Sequence, residues 1–302
     1  PQPERFTREQ LRRCDQVQNL LDYFHLPGDE TLSDTLHGGS LGTKLARTDV
    51  QANRAYRGRS PNFLAGHMIN VPMPPSDHPP AVRPGQWLSM DAHELPCPSP
   101  GGNTHYIAAV DEHSGATYIQ PSKSKSMADF FVAAMTIIRK EFNAFGWKCD
   151  HIHSDSESVF RFLIPAFGAC GILLTVSPPG QHAQRIERYT RTLGERERST
   201  RDRLPFVIDK AYDIYLISDI AQSHNLLVNS QSAPLTPEER VRGSRPVFHK
   251  ECPFLPFGTT CFVKTDTVKQ TTMAKSRDTK VKASPVGELG VNFGRCSHIP
   301  GS

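Results

Sequence analysis

The sequence predicts an α/β protein built on a mixed five-stranded sheet with helices against its faces. Three observations predict it. Residues 87–120 carry three short strand-like segments separated by glycine breaks. After residue 125, two further strand-like segments alternate with stretches of helical periodicity. The resulting order of three strands, helix, strand, helix, strand, helix suits a sheet with both antiparallel and parallel pairs.

Each element has a local reason. Thr7-Arg-Glu-Gln10 forms a capping-box pattern, and Leu11, Cys14, Val17, Leu20, Leu21 and Phe24 recur at helical spacing, so residues 8–24 read as an amphipathic helix. A second short helix is expected near residues 48–57. Between Ile69 and Pro84 stand Pro72, Pro74, Pro75, Pro79 and Pro80, which no helix or central strand tolerates, so this stretch reads as a linker.

The strands follow as Trp87–Asp91, Thr104–Val110 and Ala116–Gln120, with Gly101-Gly102 and Ser114-Gly115 as the turns of an antiparallel meander. Met127, Phe130, Phe131, Ala134, Ile137, Ile138 and Phe142 mark the expected buried face of a helix over residues 125–143. Next come a strand from Cys149 to Ser154, a helix begun at Ser156 or Ser158 with Phe160 as its anchor, and a strand Ile172–Val176. A long polar helix is expected from about 182 to 200, and another from Ile208 to about Leu227. Beyond Pro234 the pattern reads as strands and loops, with Thr260–Val263 and Leu289–Phe293 as candidate strands.

At 302 residues the chain can bury a real core in one large domain or two ordinary ones. An apolar share of 37% and 25 prolines imply compact parts joined by irregular segments. Seven cysteines without a Cys-x-x-Cys pair argue against a disulfide framework or a self-evident zinc site, and favour a reducing compartment. No apolar run is long enough to cross a bilayer and no signal peptide opens the chain, so no membrane role is expected. The first residue is Pro, as expected of a piece cut from something longer. The net charge of +4 is concentrated in Lys264, Lys269, Lys275, Arg277, Lys280 and Lys282, a candidate phosphate-contacting segment.

Three acids occupy places that such a sheet can bring together. Asp91 is expected to end the first strand, Asp155 follows the fourth, and Glu187 lies in the first turns of the polar helix. Carboxylates held close repel, and are stable as anions mainly when a divalent cation bridges them. Oxygen-only ligands point to Mg²⁺ or Mn²⁺ rather than zinc.

Four stretches resemble the integrase core of long-terminal-repeat retrotransposons, most closely the copia type. They are Pro84-Gly-Gln-Trp-Leu-Ser-Met-Asp91, Ala108-Ala-Val-Asp-Glu-His-Ser-Gly115 with Lys123-Ser-Lys-Ser126, Ser154-Asp-Ser-Glu157, and Ser177-Pro-Pro-Gly-Gln-His-Ala-Gln-Arg-Ile-Glu-Arg188. The resemblance implies an RNase H-like core, catalytic and metal-binding roles for Asp91, Asp155 and Glu187, and a fold in three parts. These are a helical N-terminal module of degenerate zinc-binding type (1–68) joined by the Pro-rich linker (69–84) to a core (85–230), and a small SH3-like β module with the basic segment (231–302). It also implies origin in a polyprotein, element-end and target DNA as partners, self-association, and a nuclear place of action after a cytoplasmic particle stage.

The departures are specific. The places where the family has two histidines and two cysteines hold Leu21, Leu26, Ser60 and Phe63, so no structural zinc is expected. The neighbouring His25 and His67 read as surface or capping residues. Between Asp155 and Glu187 lie 31 residues, a few fewer than in the family, and Ala183-Gln184 replaces its Asn-Gly. Asp111 reads as a turn residue, Glu157 as a helix-start acid, and Lys123 and Lys125 as loop surface.

Arg185, Arg188 and Arg191, on a helix that also carries Arg196, Arg198, Arg201 and Arg203, read as phosphate contacts, and Gln181 and His182 as residues reaching the DNA. The function expected is metal-dependent processing of element 3′ ends and their joining to target DNA. The alternatives are an inactive DNA-binding or assembly descendant and an RNase H-type nuclease.

Overall fold

The structure, a computed structural model, describes residues 6–58, 80–155, 158–177, 184–245, 255–264 and 287–293. Its centre is a five-stranded sheet of β1 (Trp87–Glu94), β2 (His105–Asp111), β3 (Thr117–Ser122), β4 (His151–Ser154) and β5 (Leu173–Val176). The order is β3-β2-β1-β4-β5, antiparallel across β3, β2 and β1 and parallel across β1, β4 and β5, which is the mixed order expected. The β2–β3 turn uses Gly115 at φ +70°, where a Cβ would lie 2.8 Å from the Asn229 and Gln231 side chains. Asp111 is a turn residue, as expected: its Oδ2 accepts from the Ser114 amide at 2.9 Å, and Oδ1 accepts from the Gly85 amide at 2.9 Å. Burial pushes its carboxyl up while those hydrogen bonds pull it down.

The first face of the sheet is dry. Leu88, Met90, Ile107 and Ile152 meet α4 (Met127–Ile137) and α5 (Ser158–Ala169), which contribute Phe130, Ala134, Phe160, Leu163 and Phe167. Phe160 is fully buried, the anchor the sequence assigned to it. After α4 the helix continues as a π turn over Ile138–Phe142, whose extra residue per turn lets both Ile138 and Phe142 reach the core. Met127 departs from expectation: it is 50% exposed, because the helix starts at the Ser126 cap and Met127 occupies its overhanging first position.

On the second face, Tyr106, Ala108 and Val110 of β2 pack with Ile186, Tyr189 and Leu193 of α6 (Gln184–Arg203) and with Ile214, Ile217 and Ile220 of α7 (Asp213–Asn225). The helix expected over 208–227 is split by a 3₁₀ turn at Lys210–Tyr212. Another difference follows Pro234: α8 (Pro237–Arg242) forms a short helix with a Thr236–Glu239 capping box and proline at its first position.

The N-terminal helices are α1 (Arg8–Tyr23), α2 (Asp29–His37) and α3 (Arg47–Arg57). The Thr7–Gln10 capping box forms, with the Gln10 amide donating to Thr7 Oγ1 at 3.2 Å and the Thr7 amide to Gln10 Oε1 at 2.8 Å. Val17, Leu20, Phe24, Leu32 and Val50 close a third core, which also takes in Leu227 from the far side of α7.

His25 corrects a sequence expectation. It is fully buried rather than on the surface, with Nε2 2.8 Å from Asp219 Oδ2 and Nδ1 3.0 Å from Thr200 Oγ1. Both partners lie on helices that cover the sheet, so a polar pair closes the seam between module and core.

The linker's residues 69–79 and the positions Ser60, Phe63, His67, Ser156 and Glu157 lie outside the described residues. Towards the C-terminus the described residues form an antiparallel ribbon of β6 (Thr260–Lys264) and β7 (Gly287–Val291), preceded by Phe257, which is buried in the second core. Among the described residues no helix is long and apolar enough to cross a membrane, and Cys14, Cys97, Cys149 and Cys170 are unbridged.

Candidate active site

Alternation along β1 decides what each face receives. Leu88, Met90 and Ala92 enter the dry core, so Ser89, Asp91 and His93 face the other way, opposite Val110, Ala108 and Tyr106 of β2. Asp91 is not at a strand end, as the sequence reading has it, because β1 pairs with β2 for three more residues, through Glu94.

On the other side, β1 pairs in parallel with β4, Ser89 opposite His153 and Met90 opposite Ser154. Asp91 and Asp155 are the residues that directly follow this last pair. His151, His153 and Asp155 of this face neighbour Thr175 and Ser177. His151 Nε2 and His153 Nδ1 lie 2.7 and 3.0 Å from Thr175 Oγ1, and Ser177 Oγ lies 3.1 Å from His153 Nε2. These contacts tie two four-residue strands together just behind Asp155.

Among the described residues, the helices on this side pack mainly over β1, β2 and β3. α7 packs over β3, and α6 over β2 and β1. Leu173 of β5, on the same side as His151, is 63% exposed.

Glu187 follows from the rotation of α6. Ile186, Tyr189 and Leu193 are buried, and the Tyr189 ring lies 5.7 Å from His224 of α7. At about 100° per residue, Glu187 falls on the flank away from α7. Its side chain is 44% exposed, and Oε1 is 3.8 Å from Arg191 Nη2. Asp91 is more enclosed, with Oδ2 3.3 Å from His93 Nε2, a neighbour that sequence reasoning missed although the i, i+2 spacing on one strand signals it.

Asp91 thus lies one residue beyond the last β1–β4 pair, Asp155 directly follows β4, and Glu187 stands in the first turn of α6, which packs over β2 and β1. Among the described residues no three His, Cys, Asp or Glu side chains converge closely enough to hold a metal ion. The donor chemistry, carboxylate oxygen, suits Mg²⁺ or Mn²⁺, while the placement leaves the shell open.

The arginines of α6 divide by direction. Arg188 and Arg191 are exposed beside Glu187, and Arg198 is exposed further along. Arg185 donates from Nη1 to the Glu112 carbonyl at 3.1 Å, and its Nε lies 3.5 Å from the Glu112 carboxylate. Glu112 in turn accepts from Ser89 Oγ at 2.8 Å. Arg201 pairs with Glu197 and Asp213, and Arg203 donates to the Phe257 carbonyl.

Arg196 is buried, and burial lowers its guanidinium pKa to about 10. An all-round phosphate-contacting helix is therefore not what forms, because α6 is clasped between the sheet and α7 and its inner arginines serve the fold. Gln181, His182, Lys269, Lys275, Lys280 and Lys282 lie outside the described residues, and Lys264 sits at the end of β6. Lys123 and Lys125 are exposed, as expected.

No protein family matches this chain, and no curated protein matches it. Among solved structures, the catalytic core domain of BIV integrase aligns with 53% of this chain and 95% of its own, at 18% identity and a TM-score of 0.38.

Proposed function

We propose that this chain is a retrotransposon-type integrase of the copia kind, a polynucleotidyl transferase that trims element DNA at its 3′ ends and joins them to target DNA. The observation that carries the reading is the parallel pairing of β1 with β4, whose last pair, Met90 with Ser154, immediately precedes Asp91 and Asp155. Glu187 on the adjoining flank of α6 supports it. A divalent cation, Mg²⁺ or Mn²⁺, held by these carboxylates would supply activation of a water or 3′-hydroxyl and stabilisation of the leaving oxygen.

The chain's own residues supply the rest. Asp91 and Asp155 present oxygens from a rigid floor. Glu187 reaches from a helix whose exposed pairing with Arg191 costs little to break, since such pairs contribute about 0.3–0.5 kcal/mol. Arg188, Arg191 and the basic segment with Lys264 hold phosphates. Element-end and target DNA, a second copy of the chain, a polyprotein origin and action in the nucleus after a cytoplasmic particle stage belong to the same proposal.

One observation favours a second reading, a catalytically inactive DNA-binding or assembly module: no metal-holding trio is formed among the described residues. Strand transfer with the element's own terminal sequence separates the two. Asp155→Asn should abolish product while DNA binding and the melting temperature stay near those of the unaltered chain. Product at an unaltered rate would overturn the integrase reading, and absence of product from the unaltered chain would favour the binding module. Comparing cleavage of an RNA–DNA hybrid with that of duplex ends tests for an RNase H-type nuclease.

A further inference from the structure

We propose that Arg185 and Glu112 are positioning residues that tie the first turn of α6 to β1 and so fix the place of Glu187, a role that rests on the proposed function. The sequence marks Arg185 as a phosphate contact, but the structure engages it elsewhere. Its guanidinium spans both polar groups of one residue: Nη1 donates to the Glu112 carbonyl at 3.1 Å, and Nε lies 3.5 Å from Glu112 Oε2. Glu112 is itself held in place. Its amide donates to the carbonyl of Trp87, the first residue of β1, at 3.0 Å, and its Oε1 accepts from Ser89 Oγ at 2.8 Å. Its carbonyl also accepts from Gln231 Nε2 at 3.3 Å.

The two ends of this tie give it its purpose. Ser89 stands on β1 two residues before Asp91, and Arg185 stands on α6 two residues before Glu187. The first turn of a helix opens most easily, because its leading amides have no partner within the helix. A carboxylate that shares a cation with others must be held to about 0.5 Å. The buried Ile186 presses the turn onto the sheet, but an apolar contact does not fix rotation. A planar guanidinium forked onto a fixed carbonyl and carboxylate does.

Charge keeps Arg185 at this post. The Glu112 side chain is only 9% exposed, and among the described residues Arg185 is the cation that pairs with it. Turning Arg185 outward to a phosphate would leave a nearly buried carboxylate without its counter-charge, which is costly.

The test compares Glu112→Gln and Arg185→Ala with the unaltered full chain by amide hydrogen exchange, by Mn²⁺ titration followed with electron paramagnetic resonance, and by duplex DNA binding at stepped salt. The amides of Arg188 to Arg191 make the first hydrogen bonds within α6. Their exchange should quicken at least about tenfold, the factor for one charged hydrogen bond lost, while exchange from Leu193 to Ser199 stays as it was. Mn²⁺ should bind both variants about tenfold more weakly, the scale on which partners outside a metal's own ligands act. Arg185→Lys, which keeps the charge, should recover part of that affinity, and the salt dependence of DNA binding should not alter. Glu112→Gln preserves the side-chain shape and serves if Arg185→Ala does not fold.

Unaltered exchange in a folded variant overturns the tie. Faster exchange with unaltered Mn²⁺ affinity overturns the positioning role. A salt dependence shallower by about one phosphate contact in Arg185→Ala alone returns that residue to the DNA surface and also overturns the proposal. Absence of Mn²⁺ binding by the unaltered chain overturns the proposed function, and this role with it, a result distinct from the other three.

Discussion

The two faces of β1 receive alternate residues of one eight-residue strand and are used for opposite purposes. Leu88, Met90 and Ala92 disappear into a dry core, whereas Ser89, Asp91 and His93 sit on a face whose helices stop short of β4 and β5. The difference shows where polar side chains can be afforded. The apolar cores lie on the first face and over β2 and β3, whereas the rest of the second face carries polar side chains, among them the buried Ser89, His151 and Ser177.

The largest effect that tests this contrast is the loss of strand transfer in Asp155→Asn described above, with stability nearly unaltered. Its mirror image is Phe160→Ala on the dry face. Truncating this fully buried ring should cost about 3–5 kcal/mol in urea unfolding. A stability loss from the aspartate substitution equal to that from the phenylalanine would break the contrast.

Next in size is His25→Ala, which leaves the Asp219 carboxylate and the Thr200 hydroxyl buried without their partner. A loss of about 1–3 kcal/mol is expected in the same unfolding experiment. No change would mean that the seam between module and core is held by its apolar contacts alone.

His224, packed against Tyr189, gives the covered part of the second face a pH signature. Burial, with the nearby Arg196 charge, holds its pKa down at about 3, against 6.5 for an ordinary histidine. The unfolded chain therefore binds a proton below about pH 6.5 that the folded chain refuses until about pH 3. Stability is fully present above that window and falls as the pH drops through it, by at most about 1.4 kcal/mol per pH unit. Chemical denaturation at stepped pH should show the slope, and His224→Gln should flatten it.

The smallest effect belongs to the exposed flank of α6. Replacing Arg188 and Arg191 together by alanine should make the salt dependence of DNA binding shallower by about two phosphate contacts, without altering stability. An unaltered slope would remove that flank from the DNA-contacting surface.

Much of this was legible in the sequence, for reasons that can be named. The strands alternate visibly and the meander turns carry glycine, so the mixed sheet could be read locally. By pattern alone Asp91, Asp155 and Glu187 are a weak signal among 31 acids, and it is the resemblance of the stretches around them that singles them out. What escaped depends on distant partners. His25 is buried against Asp219, which lies 194 positions away, and Arg196 lies near His224 of α7; no local window contains either contact. α2 escaped because its apolar positions are few, and α8 because six residues give too little periodicity, although Thr-Pro-Glu-Glu was a start signal. Met127 was placed on the wrong side because periodicity does not show where a helix begins to overhang its sheet.

The buried His25 pair also has a consequence for assembly. Thr200 and Asp219 belong to α6 and α7, and α6 is the helix that carries Glu187. Under the proposed function, anything that grips α1, α2 or α3 therefore pulls on the helix that carries Glu187. The orientation of the N-terminal helices against α6 and α7 is then set inside the chain, by an imidazole between a hydroxyl and a carboxylate.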